Sequence, residues 1–433
     1  MIYNDRLSIE QSRNNFSRAL ETIPCQSQTL SKRPQMHAFG AYPMYIKSGK
    51  GSHVFDVDGN EYIDYPMALA PVILGHCYPA VDRAIRAQLN NGITFTLMHP
   101  LEVEVSELIK ETVPCAEMVR FGKTGSDACT AAVKVARAYT GRQKVASYGY
   151  HGWHDWCNVV HPRNEGTPKC LNDYIFEFKY NDLTSLARIF NEHPGEIACV
   201  IMEPISIELP KEGFLQSVKD LCHKNGALLI FDEVITGFRY AIGGAQELFG
   251  VIPDLAALGK GMSNGMPVSA FVGRKDVMAA AERLFISFTH GGEALSLAAA
   301  KATIHEIRTR NVVEHITDYG NRLQKGLNKL ITDAGLQKYV YCEGLSPHMV
   351  MMFRSFGNVN PLELKTLFLQ ESIKRGVLFG LGLNPSYSHD EKDLETSFRA
   401  AEETFDIMRE AVKIGDIIKY LRCQVAEEIV RKV

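Results

Sequence analysis

The sequence predicts an α/β fold in which a large domain is built on a mostly parallel sheet and a second, smaller domain is α+β. From about residue 100 to 300, short apolar runs such as YIFEF, ACVIMEPI, ALLIFDEV and VSAFVG alternate with helical periodicities. Strands that are buried on both faces give such unbroken runs, because helices cover a parallel sheet on both sides. After about residue 310, amphipathic helical patterns enclose two short strand candidates, YVYCEG and HMVMMF, which predict the smaller domain.

A β-element precedes the large domain. Residues 44–65 alternate apolar and polar side chains around Asp58 and Gly59, and this pair is a turn signal between two strands. We find no internal repeat and no flexible linker.

Composition excludes several classes of protein. The 433 residues carry 47 Lys and Arg against 50 Asp and Glu, without long basic runs, so we expect no nucleic-acid partner. The N-terminus has no secretory-signal pattern and no apolar run reaches membrane-spanning length, so we expect a cytoplasmic protein without a membrane partner. The ten cysteines form no C-x-x-C pair and are expected to be buried thiols.

The segment MVRFGKTGSDACTAA predicts an apolar strand, a turn that contains Thr124, Gly125 and Ser126, and a helix immediately after that turn. A glycine permits close backbone approach, and a serine with the first helical N–H groups suits a phosphate. The alternative is an ordinary serine N-cap. The letters GKT resemble the end of a P-loop, but Glu117 stands where its first glycine belongs, so we reject that motif.

Two charged residues follow predicted strands. Asp232 lies near the carboxyl end of the run ALLIFDEV, and Lys260 in LGKGMSNG follows LAAL. Open α/β sheets bind ligands at the carboxyl ends of their strands. Taken singly, Asp232 could be an ion-paired or capping residue and Lys260 a loop lysine.

Together these features match pyridoxal 5′-phosphate (PLP). Lys260 would form a Schiff base with the cofactor, Asp232 would hold the pyridine nitrogen protonated, and Ser126 would bind the phosphate. Tyr150 in SYGYHGWHDW would stack on one face of the ring and Val234 on the other.

Three further residues have competing interpretations. His151 and His154 could suggest a metal, but no third ligand stands at a recognisable spacing, so we expect hydrogen-bonded loop histidines and no metal site. Thr289 precedes two glycines and a small-residue helix, which is either a phosphate-compatible helix start or a site of close helix packing.

The motifs GSDACTAAVKVARAYTGR, YHG, EP, FDEVITGFR, LGKGMSNGMPVSAFVGR and FTHGG occur in the order typical of class III PLP-dependent aminotransferases. The branch that the chain resembles is that of glutamate-1-semialdehyde 2,1-aminomutase. The resemblance runs from about residue 34 to 300. It implies PLP fold type I, the aspartate aminotransferase type, and a homodimer whose active sites lie at the subunit interface.

The resemblance also assigns roles. It makes Lys260 the Schiff-base lysine and Asp232 the partner of the pyridine nitrogen, and Thr289 reaches the phosphate of the neighbouring subunit's cofactor. The remaining cofactor contacts are Gly125, Ser126, Tyr150 and Val234. The predicted domains are residues 1–75, which contribute to the small domain, 76–312, which bind PLP, and 313–433, the C-terminal small domain.

Departures from the aminomutase branch concern the substrate. His37 in MHAF stands where that branch has an arginine that grips the substrate carboxylate, and Leu69 replaces a tryptophan. We assign both, with Glu203 of the Glu-Pro motif, to substrate contacts. A histidine is only partly charged near neutral pH and lacks the bidentate fork of arginine. These changes favour a transaminase with two substrates, L-glutamate and an aldehyde or ketone.

The specific acceptor that we expect is a sugar aldehyde used in surface polysaccharide synthesis, such as the 8-oxo sugar acid that yields 8-amino-Kdo for lipopolysaccharide. The alternatives are an intramolecular aminomutase, a nucleotide-binding oxidoreductase, which the absence of G-x-G-x-x-G disfavours, and a catalytically silent PLP-fold protein. Arg239 and Arg375 are expected to be ion-paired at the surface.

Overall fold

The chain divides into two units in this computed structural model, which describes residues 7–380 and 382–428. The larger unit comprises residues 79–313, and the smaller unit is formed by residues 7–78 together with 314–428. The smaller unit is therefore built from segments that are distant in sequence.

A seven-stranded sheet is the centre of the larger unit, with the strand order β4-β10-β9-β8-β7-β5-β6. Strand β10 runs antiparallel to both of its neighbours, and the pairs β5–β6, β5–β7, β7–β8 and β8–β9 are parallel. The strands are β4 Met118–Gly122, β5 Lys144–Tyr148, β6 Ile175–Glu177, β7 Ile197–Met202, β8 Leu228–Glu233, β9 Leu255–Leu258 and β10 Ser269–Gly273. The predicted mostly parallel sheet is confirmed.

Helices complete the larger unit. Strands β7 and β8 are buried along their whole length, as their apolar runs predict for a sheet covered on both faces. The α-helices are α2 Pro79–Leu89, α3 Pro100–Thr112, α4 Gly125–Thr140, α5 Asp155–Asn158, α6 Leu183–Glu192, α7 Phe214–Lys224, α8 Ala245–Phe249, α9 Lys275–Met278 and α10 Ala294–Thr309. Short 3₁₀ helices span Lys169–Asp173, Lys260–Ser263 and Ala279–Arg283.

A four-stranded sheet of order β1-β2-β3-β13 lies in the smaller unit. The hairpin predicted around Asp58 and Gly59 is present, with β2 and β3 antiparallel across this turn. Strand β13 comes from the C-terminal segment and pairs in parallel with β3, with Val377 opposite Ile63. The strands are β1 Ile46–Lys50, β2 His53–Asp56, β3 Glu61–Asp64, β11 Val340–Glu343, β12 Val350–Phe353 and β13 Val377–Leu378.

The predicted strands YVYCEG and HMVMMF form an antiparallel pair, β11 with β12, beside long helices of the smaller unit. Those helices are α1 Glu10–Thr22, α11 Val312–Asp333, α12 Pro361–Lys374 and α13 Glu391–Ile414, with 3₁₀ turns at Pro24–Gln26, Leu30–Lys32, Pro34–Met36 and Ile418–Tyr420. Within the part of the chain that the structure describes, no helix has both the length and the apolar composition that a membrane crossing needs.

Candidate active site

The carboxyl ends of the parallel strands bring the predicted chemistry to one edge of the larger unit's sheet. Asp232 is the fifth residue of β8, and Lys260 follows the end of β9 by two residues. The register pairs Asp232 with Ala257, only three residues before Lys260. The backbone of Lys260 has a φ of +36°, a conformation that costs an L-residue about 1–2 kcal/mol. Such strain concentrates at functional sites.

The carboxylate of Asp232 is held by three donors and is almost wholly buried. The N–H of Val234 donates to Oδ1 at 3.1 Å. At Oδ2, Nδ1 of His151 lies at 2.7 Å and the thiol of Cys129 donates at 3.2 Å. Donors on both oxygens fix the orientation of the carboxylate.

Glu203 follows β7 and belongs to the same electrostatic environment. Burial raises the pKa of its carboxyl, and the charge of Asp232 raises it further, whereas His151, the Tyr150 N–H and Lys260 act in the opposite direction. The Tyr150 N–H donates to Oε2 of Glu203 at 3.1 Å. Glu203 therefore lies with Asp232 and Lys260 at this edge of the sheet.

The start of α4 faces the same edge. Its N-cap is Thr124, in a reciprocal capping box with Asp127, so Ser126 occupies the second helical position and is not an N-cap. The capping bonds use the N–H groups of Lys123, Thr124 and Asp127, not those of Gly125 and Ser126. The N-terminal end of this helix thus keeps donors that suit an anion.

Val234 explains why a glycine stands at position 125. A β-carbon at Gly125 would lie 2.9 Å from Cγ1 of Val234, too close for any side chain. At Gly259 it would lie 3.5 Å from the same atom, in ordinary contact. Val234 therefore packs between the helix start and the segment that carries Lys260.

The loop after β5 closes onto the start of α4. Gly152 has a φ of +106°, and a β-carbon there would stand 2.1 Å from Oγ and 2.8 Å from Cα of Ser126. The loop also carries Tyr150, whose ring is 46% exposed, and the buried His151. Tyr150, Ser126 and Asp232 are therefore connected through a single short loop.

Thr289 lies outside the helix that the sequence placed immediately after it. The helix α10 begins at Ala294, and Thr289 is exposed in the preceding turn. The N-cap of α10 is Glu293, whose carboxylate accepts the N–H groups of Leu295 and Ser296 and pairs with Nζ of Lys123 at 3.0 Å. The expectation of a phosphate-compatible helix start is therefore wrong at α10, because the Glu293 carboxylate already accepts the N–H groups at the start of this helix.

His37 and Leu69 belong to the smaller unit. His37 stacks on Tyr42, with ring centroids 4.9 Å apart and planes 4° from parallel. Burial, and then the charge of Lys365, lower the pKa of His37 to about 4, so its imidazole is neutral near pH 7. Leu69 is half-buried in a run, residues 67–70, of four consecutive left-handed residues.

Both arginines expected at the surface are buried. Arg239 is fully buried, and desolvation lowers its pKa to about 10. The side chain of Arg375 is 6% exposed and pairs with Glu371 at 3.0 Å and with Glu403 at 2.8 Å. The ion pairing of Arg375 agrees with the prediction, whereas the surface location of the two residues does not.

The two histidines of the aromatic loop are hydrogen-bonded, as expected. His154 bonds Oγ1 of Thr130 at 2.7 Å. His151, by contrast, lies with Cys129 and Asp232, and one ligand atom from each falls within 4.8 Å of the others. The sequence spacing showed no third ligand, whereas the fold brings Cys129 and Asp232 to His151 because residues distant in sequence converge. The absence of a metal stays a prediction.

Sequence reasoning did not single out Cys129. Gly125 and Cys129 are separated by one helical turn of α4, so they lie on the same face of that helix. Once Gly125 is placed beside Val234, that periodicity directs Cys129 toward Asp232. The spacing alone indicates the shared helix face, and the fold supplies Asp232 as the partner of Cys129.

The residues at this sheet edge fit PLP. Lys260 supplies an amine for the carbonyl carbon, and Asp232 supplies an oriented carboxylate for a ring nitrogen. Gly125 and Gly152 permit the close packing that places Val234 and the loop after β5 against the start of α4, where the N–H groups of Gly125 and Ser126 are not used by the cap and suit a phosphate. These are the three chemical requirements of the cofactor.

Comparisons with known proteins agree with this chemistry. Residues 36–379 match the family model described as Aminotransferase class-III. The chain is 34% identical over 414 residues to the 3-aminobutyryl-CoA aminotransferase of Cloacimonas acidaminovorans, covering 92% of this chain and 98% of that protein. It is 35% identical over 402 residues to the glutamate-1-semialdehyde 2,1-aminomutase of Syntrophobacter fumaroxidans, covering 86% and 92%.

Solved structures show the same fold. The FumI protein of Sphingopyxis sp. MTA144, solved with PLP, superposes with a TM-score of 0.88 at 26% identity, covering 96% of this chain and 98% of that one. A transaminase with PLP bound gives a TM-score of 0.87 at 25% identity, covering 94% and 100%. The chain has PLP fold type I and belongs to the class III aminotransferases, the PLP-dependent transaminases.

Proposed function

We propose that this protein moves an amino group between two separate substrates, with L-glutamate as the donor and an aldehyde or ketone as the acceptor. The observation that carries this choice is the state of His37. The resemblance places His37 at the position of the aminomutase arginine, and burial keeps its imidazole neutral near pH 7. A neutral ring cannot replace a cation that grips the carboxylate of a substrate held through two successive steps.

Each residue at the sheet edge has a proposed task. Nζ of Lys260 would hold the cofactor, and the same amine would carry a proton to and from the substrate carbon. Asp232 holds a proton on the pyridine nitrogen. When bound, PLP supplies the electron sink that weakens bonds at the amino-bearing carbon.

The other proposed contacts surround this pair. The N–H groups of Gly125 and Ser126, with the Ser126 hydroxyl, bind the phosphate. Tyr150 and Val234 exclude water from the two faces of the ring. Glu203 contacts the substrate beside Lys260, and the resemblance assigns His37 and Leu69 to the same task.

The identity of the acceptor comes from sequence alone. A sugar aldehyde for surface polysaccharide, including the precursor of 8-amino-Kdo, stays a prediction, as does a cytoplasmic location. The only acidic group of that precursor is remote from its aldehyde. Such a substrate suits a site that has no fixed cation at His37. A second acceptor class is a 3-oxoacyl thioester, since the relative from Cloacimonas acidaminovorans, 34% identical over 92% of this chain, is named a 3-aminobutyryl-CoA aminotransferase.

The homodimer is also a proposal, and it is supported by exposed apolar side chains of the larger unit. Leu97, Met98 and Phe285 are 78%, 83% and 89% exposed. The loop that carries Leu97 and Met98 is joined to the start of α10 through the Ala294 N–H, which donates to the Ile93 carbonyl at 2.9 Å. A second copy of the chain would cover this surface near Thr289.

A half-reaction tests the two-substrate proposal. The PLP-loaded protein is mixed with L-glutamate without an acceptor, and 2-oxoglutarate is quantified together with the visible absorbance of the cofactor. For ping-pong transamination, we expect release of about one equivalent of 2-oxoglutarate per subunit and loss of the visible absorbance band of the lysine-bound cofactor. Conversion of glutamate-1-semialdehyde to 5-aminolevulinate without any donor, and no 2-oxoglutarate from glutamate, would instead establish the aminomutase.

A complementation experiment tests the shared site. Lys260→Ala subunits are mixed and refolded with Thr289→Ala subunits, each variant alone being impaired. If Thr289 serves the neighbouring subunit, each mixed dimer contains one site with both residues intact, and activity returns. Failure of the mixture to exceed the more active parent, although dimers form in sedimentation, would refute the shared site.

A further inference from the structure

A cysteine thiol contacts the carboxylate that we assign to the cofactor nitrogen. Cys129 lies on α4, is 1% exposed, and donates from Sγ to Oδ2 of Asp232 at 3.2 Å. His151 approaches the same oxygen from the loop after β5 at 2.7 Å. Two elements outside the strand of Asp232 therefore hold a single oxygen atom.

The thiol is protonated and acts as the donor. Burial raises the pKa of Cys129 well above its ordinary value, and the neighbouring charge of Asp232 raises it further. A sulfur bonded to hydrogen is a weak donor compared with a hydroxyl or an imidazole N–H. Cys129 thus restrains Oδ2 while withdrawing little charge from the carboxylate.

We propose that Cys129 is a positioning residue, which holds Asp232 in the orientation that the pyridine nitrogen requires and leaves its carboxylate more basic than a hydroxyl donor would. A stronger donor at this place stabilises the charged carboxylate and weakens its hold on a proton. Removal of the donor leaves Oδ2 restrained by His151 alone. The inference rests on the proposed role of Asp232.

The packing around the pair supports a restraint of this kind. The Val234 N–H occupies Oδ1 at 3.1 Å, so rotation of the carboxylate would break bonds on both oxygens. The ring of His151 lies nearly parallel to that of Trp156, with centroids 6.3 Å apart, and the Trp156 indole donates to Thr130 at 2.7 Å. Thr130 adjoins Cys129 on α4, so both side-chain donors to Oδ2 are anchored to this helix.

Two variants at position 129 separate the restraint on the Asp232 carboxylate from the strength of the hydrogen-bond donor. Cys129→Ser installs a stronger donor, and Cys129→Ala removes the donor. The matched control is Cys222→Ser, a fully buried thiol of the same unit on α7. The measurements are the dissociation constant of PLP from the cofactor-free protein and the protonation of the pyridine nitrogen, followed by NMR with ¹⁵N-labelled PLP across pH.

The two variants are expected to differ in kind. Cys129→Ser should shift loss of the pyridine proton to lower pH, with the proton held on the order of three- to tenfold less tightly. Cys129→Ala should keep that proton but bind PLP roughly three- to tenfold more weakly, because Asp232 is less restrained. Cys222→Ser should change neither quantity.

Contrary results are also defined. The inference would be overturned if folded Cys129 variants kept the wild-type titration of the pyridine nitrogen and the wild-type PLP affinity. It would also be overturned if Cys129→Ser and Cys129→Ala lowered thermal stability equally and had no other effect. One zinc ion per purified subunit, lost in Cys129→Ala, would replace it with a metal site. Asp232→Asn tests the premise, which is the proposed role of Asp232. If this variant also leaves the titration of the pyridine nitrogen unchanged, the proposed role of Asp232 is wrong and the role of Cys129 falls with it.

Discussion

The backbone of Gly152 lies directly against Ser126, so that a β-carbon at Gly152 would stand 2.1 Å from Oγ and 2.8 Å from Cα of the serine. The second of these atoms is backbone and cannot rotate away. The contact joins the loop that carries Tyr150 and His151 to the helix start that we assign to the phosphate.

Gly152→Ala should therefore weaken cofactor binding. The methyl group must displace Ser126 or the loop, and the φ of +106° adds backbone strain, so we expect at least a tenfold loss of PLP affinity and a loss of stability of about 1–3 kcal/mol. Titration of the cofactor-free protein with PLP measures the first, and denaturant unfolding the second. Gly166→Ala is the control, since its φ is +84° but no atom lies within 4 Å of the added carbon. Equal PLP affinity in the two variants would contradict the contact.

Lys260→Ala should remove the visible absorbance band of the lysine-bound cofactor and lower the glutamate half-reaction by a factor of about 10³ or more. The amine has no substitute in the site, because the alanine methyl cannot bond the cofactor or carry a proton. Absorbance and rapid-mixing kinetics measure both effects. Lys275→Ala, at an exposed lysine on α9, should behave as wild type. A retained band in Lys260→Ala would assign the cofactor linkage to another residue.

The charge of His53 should make the stability of the smaller unit depend on pH. His53 on β2 lies 2.9 Å from Asp393 on α13 and 2.9 Å from Glu61 on β3. The hydrogen bond to Asp393 is the largest cause that raises the pKa of His53, and desolvation opposes it. Protonated His53 therefore stabilises the fold fully below its unfolded pKa of about 6.5, and this contribution is lost as pH rises through the higher folded pKa.

His53→Gln should accordingly be less stable than wild type at pH 6, by on the order of 1 kcal/mol or less because the side chain is partly exposed. The difference should shrink as pH rises above about 6.5 and through the higher folded pKa of His53. Burial lowers the pKa of the neighbouring His389 to about 4, and the resulting pH dependence is shared by both proteins, so it cancels in their difference. Thermal melts of both proteins across this range test the prediction, and a gap that widens with pH would contradict it.

Strain in residues 67–70 predicts a stabilising substitution. Ala68 has a φ of +57° within four consecutive left-handed residues, and its side chain is exposed. Glycine adopts this conformation without steric cost, so Ala68→Gly should raise the free energy of unfolding by about 1 kcal/mol. Ala68→Val should lower it, because a β-branched side chain tolerates the left-handed region poorly. Denaturant unfolding of both variants measures the effect, and the same sign for the two would refute the strain.

The sequence predicted the elements that end at the sheet edge, because buried strands and chain-breaking glycines leave local signals. The runs ALLIFDEV and LAAL predicted that Asp232 and Lys260 lie at the ends of two strands, and the structure has them in β8 and just after β9, which are neighbours. What local patterns could not give is convergence. Cys129 and His151 reach Asp232 from positions 103 and 81 residues away.

Competition between side chains explains why the predicted phosphate-compatible helix start after Thr289 was wrong. The turn at Thr289 suggested a free helix start, but the carboxylate of Glu293 caps α10, and its pairing with Lys123 depends on a segment 170 residues away. Burial of Arg239 and Arg375 likewise depends on what packs around them. The residues adjacent to Arg239 and Arg375 in the sequence did not indicate this burial.

The parallel pairing of β3 with β13 has a consequence for how the protein is made on the ribosome. The N-terminal hairpin emerges early, but Val377, the partner of Ile63, is synthesised more than 300 residues later. Until then Tyr62, Ile63 and Tyr65, which end up almost wholly buried, have no complete core to enter. The intervening residues 79–313 can fold first, so the nascent N-terminal segment must be kept from aggregating during translation.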